Sequence, residues 1–218
     1  MTRRFVDLSR FEDPISELQN LSESVGHLDL SRNNLGQKSG AELAEMMAAI
    51  KSGVRALDLS RNDLCKKTGV ELKQLMASIP PGVRVLDLGR NELFLKSGVE
   101  LVQMIAGIPL GIRVLCLNEN ALGQRRAGKE LAQMLSAIPP GVRTLDLGGN
   151  EFWVRSSDEL VQMLSGIPPG VRVLDLQDNR LVHEVDSRGK LEYRDVRELL
   201  RIIAVIPHSV VDLDLGGN

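Results

Sequence analysis

Three histidines and two cysteines are the residues of this sequence best suited to nucleophilic catalysis or to metal binding. The histidines are His27, His183 and His208, and their separations are not those of a metal-ligand motif. A nucleophilic cysteine needs a base and a group that orients this base. No histidine adjoins Cys65 or takes a position beside Cys116. We therefore expect no catalytic residue, no metal and no cofactor, and we predict that the protein is not an enzyme.

Composition and the absence of known motifs argue against several other classes of protein. The sequence has no GxxxxGK[ST], GxSxG or HExxH motif. Its 27 basic and 29 acidic residues nearly balance, which argues against binding to nucleic acid or membranes through bulk charge. No run of about 18 apolar residues would span a membrane, and MTRRFVDLSRF at residues 1–11 is not typical of a secretory signal. Because two cysteines make no disulfide framework, we expect a reducing, cytoplasmic environment.

A nine-residue string recurs along most of the chain, for example VRALDLSRN at residues 54–62 and VRVLDLGRN at residues 83–91. Successive copies end at asparagines that are 29, 29, 29, 30, 29 and 39 residues apart, namely Asn33, Asn62, Asn91, Asn120, Asn150, Asn179 and Asn218. FVDLSRF at residues 5–11 is predicted to be a degenerate first copy, with Phe11 in the place of the asparagine. Such spacing indicates a solenoid, in which each repeat packs only on its neighbours.

Each repeat predicts one strand and one helix. In the Leu-Asp-Leu of residues 57–59 the leucines face one way and the aspartate the other, which is typical of a half-buried strand. A helical pattern follows over residues 70–79 and ends at the Pro-Pro-Gly of residues 80–82, because proline lacks a backbone donor. Parallel strands with right-handed helical crossovers predict a curved stack, with strands on the concave side. The repeated asparagine is expected to pair with backbone groups of the turn.

The pattern LxxLxLxxNxL followed by a helix resembles the leucine-rich repeat, and units of about 29 residues resemble its ribonuclease-inhibitor-like subfamily. The phrase IPPGVRVLDL at residues 79–88 is similar to leucine-rich-repeat effectors that intracellular bacterial pathogens inject into host cells. The resemblance covers residues 5–218 and implies an α/β solenoid that binds proteins through its concave face and ascending loops. It implies a single domain over residues 1–218, with a capping repeat at about residues 1–24 and regular repeats from residue 25.

Two functions follow from this resemblance. The first is a non-catalytic effector, acting in the host cytosol, that binds and masks or inhibits a protein partner. This partner would be a host protein or another bacterial effector, for instance an enzyme, and neither nucleic acid nor membrane is expected. The alternative is the targeting domain of a larger enzyme, such as a ubiquitin ligase. Because the chain stops at a predicted strand exit, Asn218, without a capping helix, we expect a longer protein. Alone, the chain is expected to be a monomer.

Six aspartates share one register position on the predicted concave sheet, and Cys116 takes the same position in a seventh repeat. We call this set the acidic column: Asp29, Asp58, Asp87, Asp146, Asp175 and Asp214. Like charges on adjacent strands repel, so the column is unfavourable unless something offsets this repulsion. The column is predicted either to dock a basic partner or to be a structural feature of the fold. Arginines three residues earlier are expected to neutralise it, namely Arg55, Arg84, Arg113, Arg143 and Arg172.

The residues that follow the strands give a second set of candidates. The residue before each asparagine is basic in the early repeats, as in Arg61 and Arg90, and neutral or acidic in the late repeats. This gradient of charge would orient a partner whose own charge is distributed in the opposite sense. Phe94 and Trp153 follow buried positions in the ascending loops and are expected at the edge of the strands. Exposed aromatic residues often dominate binding energy. The alternative for Trp153 is local packing on a neighbouring loop.

The last repeat is ten residues longer than a repeat of 29, and the excess lies between Val182 and Asp195. This insertion, HEVDSRGKLEYR, is predicted either to project as a loop near Trp153 or to extend the following helix backwards. The residues predicted to bind protein are Arg61, Asp87, Arg90, Phe94, Cys116, Asn118, Asp146, Trp153, Asp175, His183 and Tyr193.

Overall fold

The computed structural model describes residues 2–124, 127–185 and 188–218. Within them, eight parallel strands form one sheet, and each strand pairs with the corresponding strand of the next repeat. Across the sheet these are β1 (Thr2–Phe5), β2 (Val25–Asp29), β3 (Ala56–Asp58), β4 (Val85–Asp87), β5 (Val114–Cys116), β6 (Thr144–Asp146), β7 (Val173–Asp175) and β10 (Asp212–Asp214). The predicted α/β solenoid is confirmed.

Helices follow the strands and form a layer on one side of the sheet. They are α1 (Pro14–Gln19), α2 (Gly40–Ala49), α3 (Gly69–Ala77), α4 (Gly98–Ala106), α5 (Gly128–Ser136), α6 (Ser157–Leu164) and α7 (Val196–Ala204). Four of them begin with reciprocal hydrogen bonds between a serine or threonine and the glutamate three residues on. These bonds satisfy N–H groups that a helix start leaves unpaired. No helix of the described residues has the length and apolar character needed to cross a bilayer.

Helix α5 lacks this cap, because Ala127 takes the place of the serine and has no side-chain acceptor. Its backbone angles, φ −63° and ψ 147°, are close to those of the capping Ser156, φ −66° and ψ 160°. Replacing Ala127 with serine is expected to raise the free energy of unfolding by about 1 kcal/mol, because serine can pair with Glu130 as in the other repeats. Chemical denaturation measures the change. An equal gain from Ala127→Val, which adds no acceptor, would contradict this explanation.

Aliphatic side chains fill a continuous core between the sheet and the helices. Leu57 and Leu59 on either side of Asp58 are 1% and 0% exposed, and the equivalent leucines of the other central repeats are also buried. The next buried apolar side chain is that of Leu64. Its equivalent in the repeat of β6 is Phe152. The predicted alternation is confirmed. It leaves the aspartate side of the sheet facing away from the helices.

Buried asparagines connect the repeats at the strand exits. The Nδ2 of Asn120 donates to the carbonyls of Leu88 and Leu117, at 3.0 Å in both cases. Its Oδ1 accepts the N–H of Asn91 at 2.8 Å and that of Leu93 at 3.4 Å. The equivalent asparagines of the neighbouring repeats form the same bonds. The predicted pairing with backbone groups is confirmed, and it links each repeat to the one before it.

The first unit departs from the predicted register. Phe5 of β1 lies opposite Asp29 of β2. Leu8 donates its N–H to the Oδ1 of Asn33 at 2.7 Å, as Leu35 and Leu64 donate to the asparagine of the following repeat. The prediction that Phe11 takes the asparagine position is therefore wrong, because Leu8 already begins the 3-10 turn that follows the asparagine in later repeats and Phe11 comes after this turn. Phe11 lies on the surface, where it follows a short 3-10 turn.

The additional residues of the last repeat form an antiparallel hairpin of β8 (His183–Val185) and β9 (Leu191–Tyr193). Helix α7 begins only at Val196, because Asp195 caps it by accepting the N–H of Arg197. The hypothesis that the insertion extends this helix backwards is therefore wrong. Residues 191–193, which have helix-favouring neighbours in the sequence, pair with β8 as a strand.

Candidate functional site

The open side of the sheet, which we call the strand face, carries the acidic column in the predicted register. Aspartates of adjacent strands lie opposite each other, and Cys116 lies between Asp87 and Asp146. The Oδ1 of each aspartate accepts the N–H of the residue two positions on, at 2.7–3.1 Å. One oxygen of each carboxylate therefore has a structural role at the strand end. Docking through the other oxygen stays a prediction.

The arginines three residues before the aspartates do not neutralise the acidic column. The Nη1 atoms of Arg55 and Arg84 each donate at 2.8 Å to a backbone carbonyl of the descending turn. Arg113 and Arg143 donate to the equivalent carbonyls of their own repeats. The predicted neutralisation is wrong, because strand side chains alternate with a period of two, and an odd separation places the two groups on different sides.

Arg3 of β1 is the cation that contacts the column. Its Nη2 donates to the Oδ2 of Asp29 at 2.7 Å and lies 3.9 Å from the Oδ2 of Asp58. One guanidinium thus bridges aspartates of two adjacent strands. Sequence analysis missed this residue, because the repeat alignment did not place a strand over residues 2–5.

Ionisation differs along the acidic column. Burial, together with the charges of Asp58 and Asp146, raises the pKa of Asp87 to about 6, although the hydrogen bond from Gly89 opposes this rise. Burial also opposes ionisation of Asp29, but hydrogen bonds from Arg3 and from the turn hold the pKa of Asp29 below its ordinary value. The negative charge near Asp87, in the middle of the column, is therefore compensated less than the negative charge near Asp29.

Replacing Asp87 with asparagine is expected to raise the free energy of unfolding at about pH 7 and to change it little near pH 4. The pKa of about 6 in the folded protein exceeds the ordinary value of 3.8. The folded protein therefore holds a proton that the unfolded chain releases, and its stability falls as the pH rises through this interval. Asparagine removes the charge and keeps the oxygen that accepts the N–H of Gly89. Chemical denaturation at a series of pH values measures the effect.

The control for this prediction is Asp29→Asn at the equivalent position of the column. Because the pKa of Asp29 is lowered in the folded protein, its charge stabilises the fold at neutral pH, and this contribution is lost as the pH falls. The substitution is thus expected to lower the free energy of unfolding at pH 7. Changes of the same sign for both variants would contradict the assignment of charges.

Cys116 is a poor candidate for a nucleophile. Burial, together with the charges of Asp87 and Asp146, raises the pKa of its thiol to about 12. The reactive form of cysteine is the thiolate. The thiol therefore stays protonated at neutral pH, as a small half-buried group in the middle of the strand face.

A polar pocket of about 400 Å³ lies at the exit edge of the strand face. Its lining residues come from four successive repeats and are Arg90, Asn118, Glu119, Gly148, Gly149, Gln177 and Asp178. Arg90 forms an ion pair with Glu119. The structure thus brings together two predicted binding residues, Arg90 and Asn118. Arg61 lies one repeat further towards the N-terminus, outside this pocket.

Phe94 and Trp153 lie in short 3-10 turns that follow the asparagines, at Leu93–Leu95 and Phe152–Val154. We call these turns the ascending turns. Both aromatic side chains are half-buried, so each packs in part on the protein. The repeat between them has Gly123 at the equivalent position and therefore supplies no aromatic ring to join them. Phe94 and Trp153 are two separate positions along the predicted edge.

The hairpin brings Tyr193 to the same corner of the molecule as Trp153. Strand β8 lies beside the ascending turn that carries Trp153. The ring of Tyr193 packs on that of His183, with centroids 4.7 Å apart, and Tyr193 is 79% exposed. His183 was predicted in a loop, but it lies in β8. Three predicted binding residues therefore occur together at this corner.

A buried arginine fixes the hairpin to the repeats. The Nε of Arg194 donates to the carbonyl of Leu181 at 2.9 Å, and its Nη1 donates to the Oγ of Ser157 at 2.9 Å. Nη1 also contacts the carboxylate of Glu184 at 2.8 Å, and Nη2 donates to the carbonyl of Arg155. The side chain of Arg194 is fully enclosed. Sequence analysis missed it, because a basic residue inside an insertion has no equivalent in the other repeats.

Comparison with known proteins gives no matching family model and no matching curated protein. Among solved structures, the leucine-rich repeat-containing protein LegL7 from Legionella pneumophila matches with a TM-score of 0.87 and 36% sequence identity. The chain has the leucine-rich-repeat fold. The match covers 100% of this chain and 64% of the LegL7 chain, so the chain spans less than two thirds of LegL7.

Two further structures match this leucine-rich-repeat chain more distantly. The tropomodulin C-terminal domain of Caenorhabditis elegans has a TM-score of 0.46 and 12% identity, and the match covers 74% of this chain and 92% of that domain. Human 5T4 has a TM-score of 0.49 and 23% identity, with 91% of this chain and 72% of the other covered. Neither adds an argument about function.

Leucine-rich repeats commonly present an extended concave surface to other proteins. The fold of this chain is accordingly that of a protein–protein interaction module. Among the described residues, no group of three or more histidine, cysteine, aspartate or glutamate side chains is arranged to hold a metal ion.

Proposed function

We propose that this protein is a non-catalytic recognition module that binds a protein partner and masks part of its surface. The proposed contact consists of the strand face and the adjoining ascending turns and hairpin. Its residues are those predicted from the sequence: Arg61, Asp87, Arg90, Phe94, Cys116, Asn118, Asp146, Trp153, Asp175, His183 and Tyr193.

The observation that supports this proposal most strongly is the open strand face beside a firmly held hairpin. The acidic column lies along this face, with an ion pair from Arg3 at one end. At the other end, Tyr193 is exposed on a hairpin that the buried Arg194 holds in place. A surface that is ordered before binding loses little conformational entropy on binding. Charge and an exposed aromatic ring are the features that such contacts use.

A non-catalytic role agrees with the state of the one cysteine on this face. The raised pKa of Cys116 keeps its thiol protonated, because burial and the carboxylates that flank it on the adjacent strands disfavour the thiolate. The most reactive residue type on the strand face is therefore proposed to be a contact residue.

We further propose that the protein is a bacterial effector that acts in the cytosol of a host cell, on a host protein or on another effector. The resemblance of residues 79–88 to effectors of intracellular pathogens supports this role. The 36% identity to a Legionella pneumophila leucine-rich-repeat protein over the whole chain is in keeping with it. A host-cell fractionation that finds the protein only in the bacteria would count against this part of the proposal.

Affinity capture with the full chain tests the proposed contact. The double variant Trp153→Ala/Tyr193→Ala is expected to reduce capture of the partner by about tenfold or more, because truncating an aromatic hot-spot residue costs about 2 kcal/mol or more. The control Lys73→Ala/Gln74→Ala lies on the outer side of α3, where both residues are exposed, and is expected to retain capture. If the aromatic variant is folded and binds like the wild type, this corner is not part of the contact.

A further inference from the structure

The spacing of the outer helices varies along the solenoid. Helix α3 approaches α4, and α5 approaches α6, more closely than α4 approaches α5. The strands of these repeats all pair in the same register, so the difference lies in the helix layer. Paired strands keep a spacing of about 4.8 Å, whereas packed helices lie about 8–10 Å apart. Because this mismatch curves the solenoid, the curvature is not the same at every repeat.

A glycine after the helix permits each of the two close approaches. A side-chain carbon at Gly107, after α4, would lie 2.5 Å from the carbonyl oxygen of Lys73 in α3. A side-chain carbon at Gly166, after α6, would lie still closer to the carbonyl oxygen of Ala132 in α5. Non-bonded carbon and oxygen atoms do not come so close. Only glycine therefore lets these helix pairs touch through their backbones.

The equivalent residue after α5 is Ala137, which carries the methyl group that Gly107 and Gly166 lack. A groove of about 540 Å³ lies between α4 and α5 at this residue. Its lining residues are Val99, Val102, Gln103, Gln133, Ser136 and Ala137. After α3 the same position is Ser78, which lines a groove of about 490 Å³ beside α2. The residue after each helix thus determines how closely that helix packs on the previous one.

We infer that the gap between α4 and α5 is a flexion point, at which the solenoid changes its curvature. At Gly107 and Gly166 the backbones of adjacent helices already touch, so these junctions cannot close further. The gap at Ala137 is bordered by side chains and solvent, so α5 can move towards α4 with little loss of buried contacts. The pair α3 and α4 and the pair α5 and α6 then move as two blocks, in the way that packed helices slide in shear motions.

Movement at this gap changes the shape of the strand face. The two blocks meet between β5 and β6, where Cys116 lies opposite Asp146. Because hydrogen bonds hold the strand spacing, closing the gap between the helices flattens the arc, and opening it curves the arc more strongly. The middle of the strand face is therefore the part whose curvature adjusts. This movement needs no partner, so it does not depend on the proposed function.

Double electron–electron resonance between two nitroxide labels measures the gap. The labels replace Gln74 in α3 and Gln162 in α6, which are exposed equivalent positions on either side of it, in a chain whose cysteines are changed to serine. Ala137→Gly is expected to shorten the mean distance between the labels by about 1–2 Å and to narrow the distance distribution. An unchanged mean distance, or a distribution no broader with Ala137 than with glycine, would overturn the inference.

The glycine variant is expected to fold, because Ala137 has φ −82° and ψ −9° and Gly107 has φ −82° and ψ −15°. Ala106→Gly is the control, since it removes a methyl group from an exposed position at the end of α4, and it is expected to leave the distance unchanged. Gly107→Ala adds a methyl group where α3 and α4 touch and is expected to lengthen the distance. Equal shortening in Ala106→Gly would contradict the role of Ala137.

Discussion

Replacing Asn120 with alanine is expected to lower the free energy of unfolding by about 3 kcal/mol. The substitution leaves the buried N–H groups of Asn91 and Leu93 without their acceptor, and an unsatisfied buried group costs about 1–3 kcal/mol. The carbonyls of Leu88 and Leu117 lose one donor but keep another from the asparagine of the adjacent repeat. Denaturation monitored by circular dichroism measures the change.

The matched control is Asn33→Ala at the first asparagine of the series. Asn33 is only half-buried, and its Oδ1 accepts the N–H of Leu8. Fewer buried groups lose a partner there, so the expected loss is about 1 kcal/mol. A loss at Asn120 no larger than at Asn33 would show that the buried asparagine bonds contribute little to the stacking of the repeats.

Replacing Arg194 with alanine is expected to detach the hairpin of β8 and β9 from the repeats. The guanidinium is the donor to two backbone carbonyls, to Ser157 and to Glu184. Removing one partner of an enclosed charged pair costs about 3 kcal/mol or more, which corresponds to a roughly 100-fold increase in local opening. Hydrogen–deuterium exchange of the amides of residues 182–195 measures this opening.

The other repeats should keep their protection in this variant, because repeats of a solenoid interact mainly with their neighbours. Arg197→Ala is the control, since Arg197 is an exposed arginine in the first turn of α7. Unchanged exchange of the hairpin amides in Arg194→Ala would mean that the pairing of β8 with β9 is sufficient to hold Tyr193 in place.

The features that could be predicted from the sequence are those that every repeat needs in order to pack on its neighbours. Leu57 and Leu59 must face the core, and Asn62 must satisfy the turn, so their spacing recurs and indicates the fold. The acidic column was predicted in the correct register for the same reason. The arginine column was not assigned correctly, because Arg55 and Asp58 are an odd number of residues apart and a strand places them on opposite sides.

The features that escaped prediction occur once in the chain. Arg3 belongs to a shortened unit without an asparagine, so the spacing of later repeats could not place its side chain in contact with Asp29. Arg194 lies in an insertion, and its role depends on contacts with Arg155 and Ser157 of the previous repeat. Such contacts come from the tertiary structure and leave no periodic signal. A column of basic residues five positions after the asparagines, including Lys67 and Lys96, is periodic, but its spacing does not show which groups these side chains contact.

That column has a structural role similar to the arginines of the descending turns. The Nζ of Lys67 donates to the carbonyl of Lys38 at 2.7 Å, and the Nζ of Lys96 donates to the carbonyl of Lys67 at 2.6 Å. These lysines and the arginines of the descending turns therefore pair with backbone carbonyls and not with the acidic column. This use of basic residues explains why a nearly neutral chain has an acidic strand face.

Site-specific photo-cross-linking tests the recognition role most directly. A photoreactive amino acid is placed at Thr144 on the strand face in one variant and at Lys73 on the outer side of α3 in the other, and both proteins are irradiated in host-cell lysate. We predict a discrete protein adduct from position 144 and none from position 73. An adduct from position 73 without one from position 144 would contradict the assignment of the strand face as the binding surface.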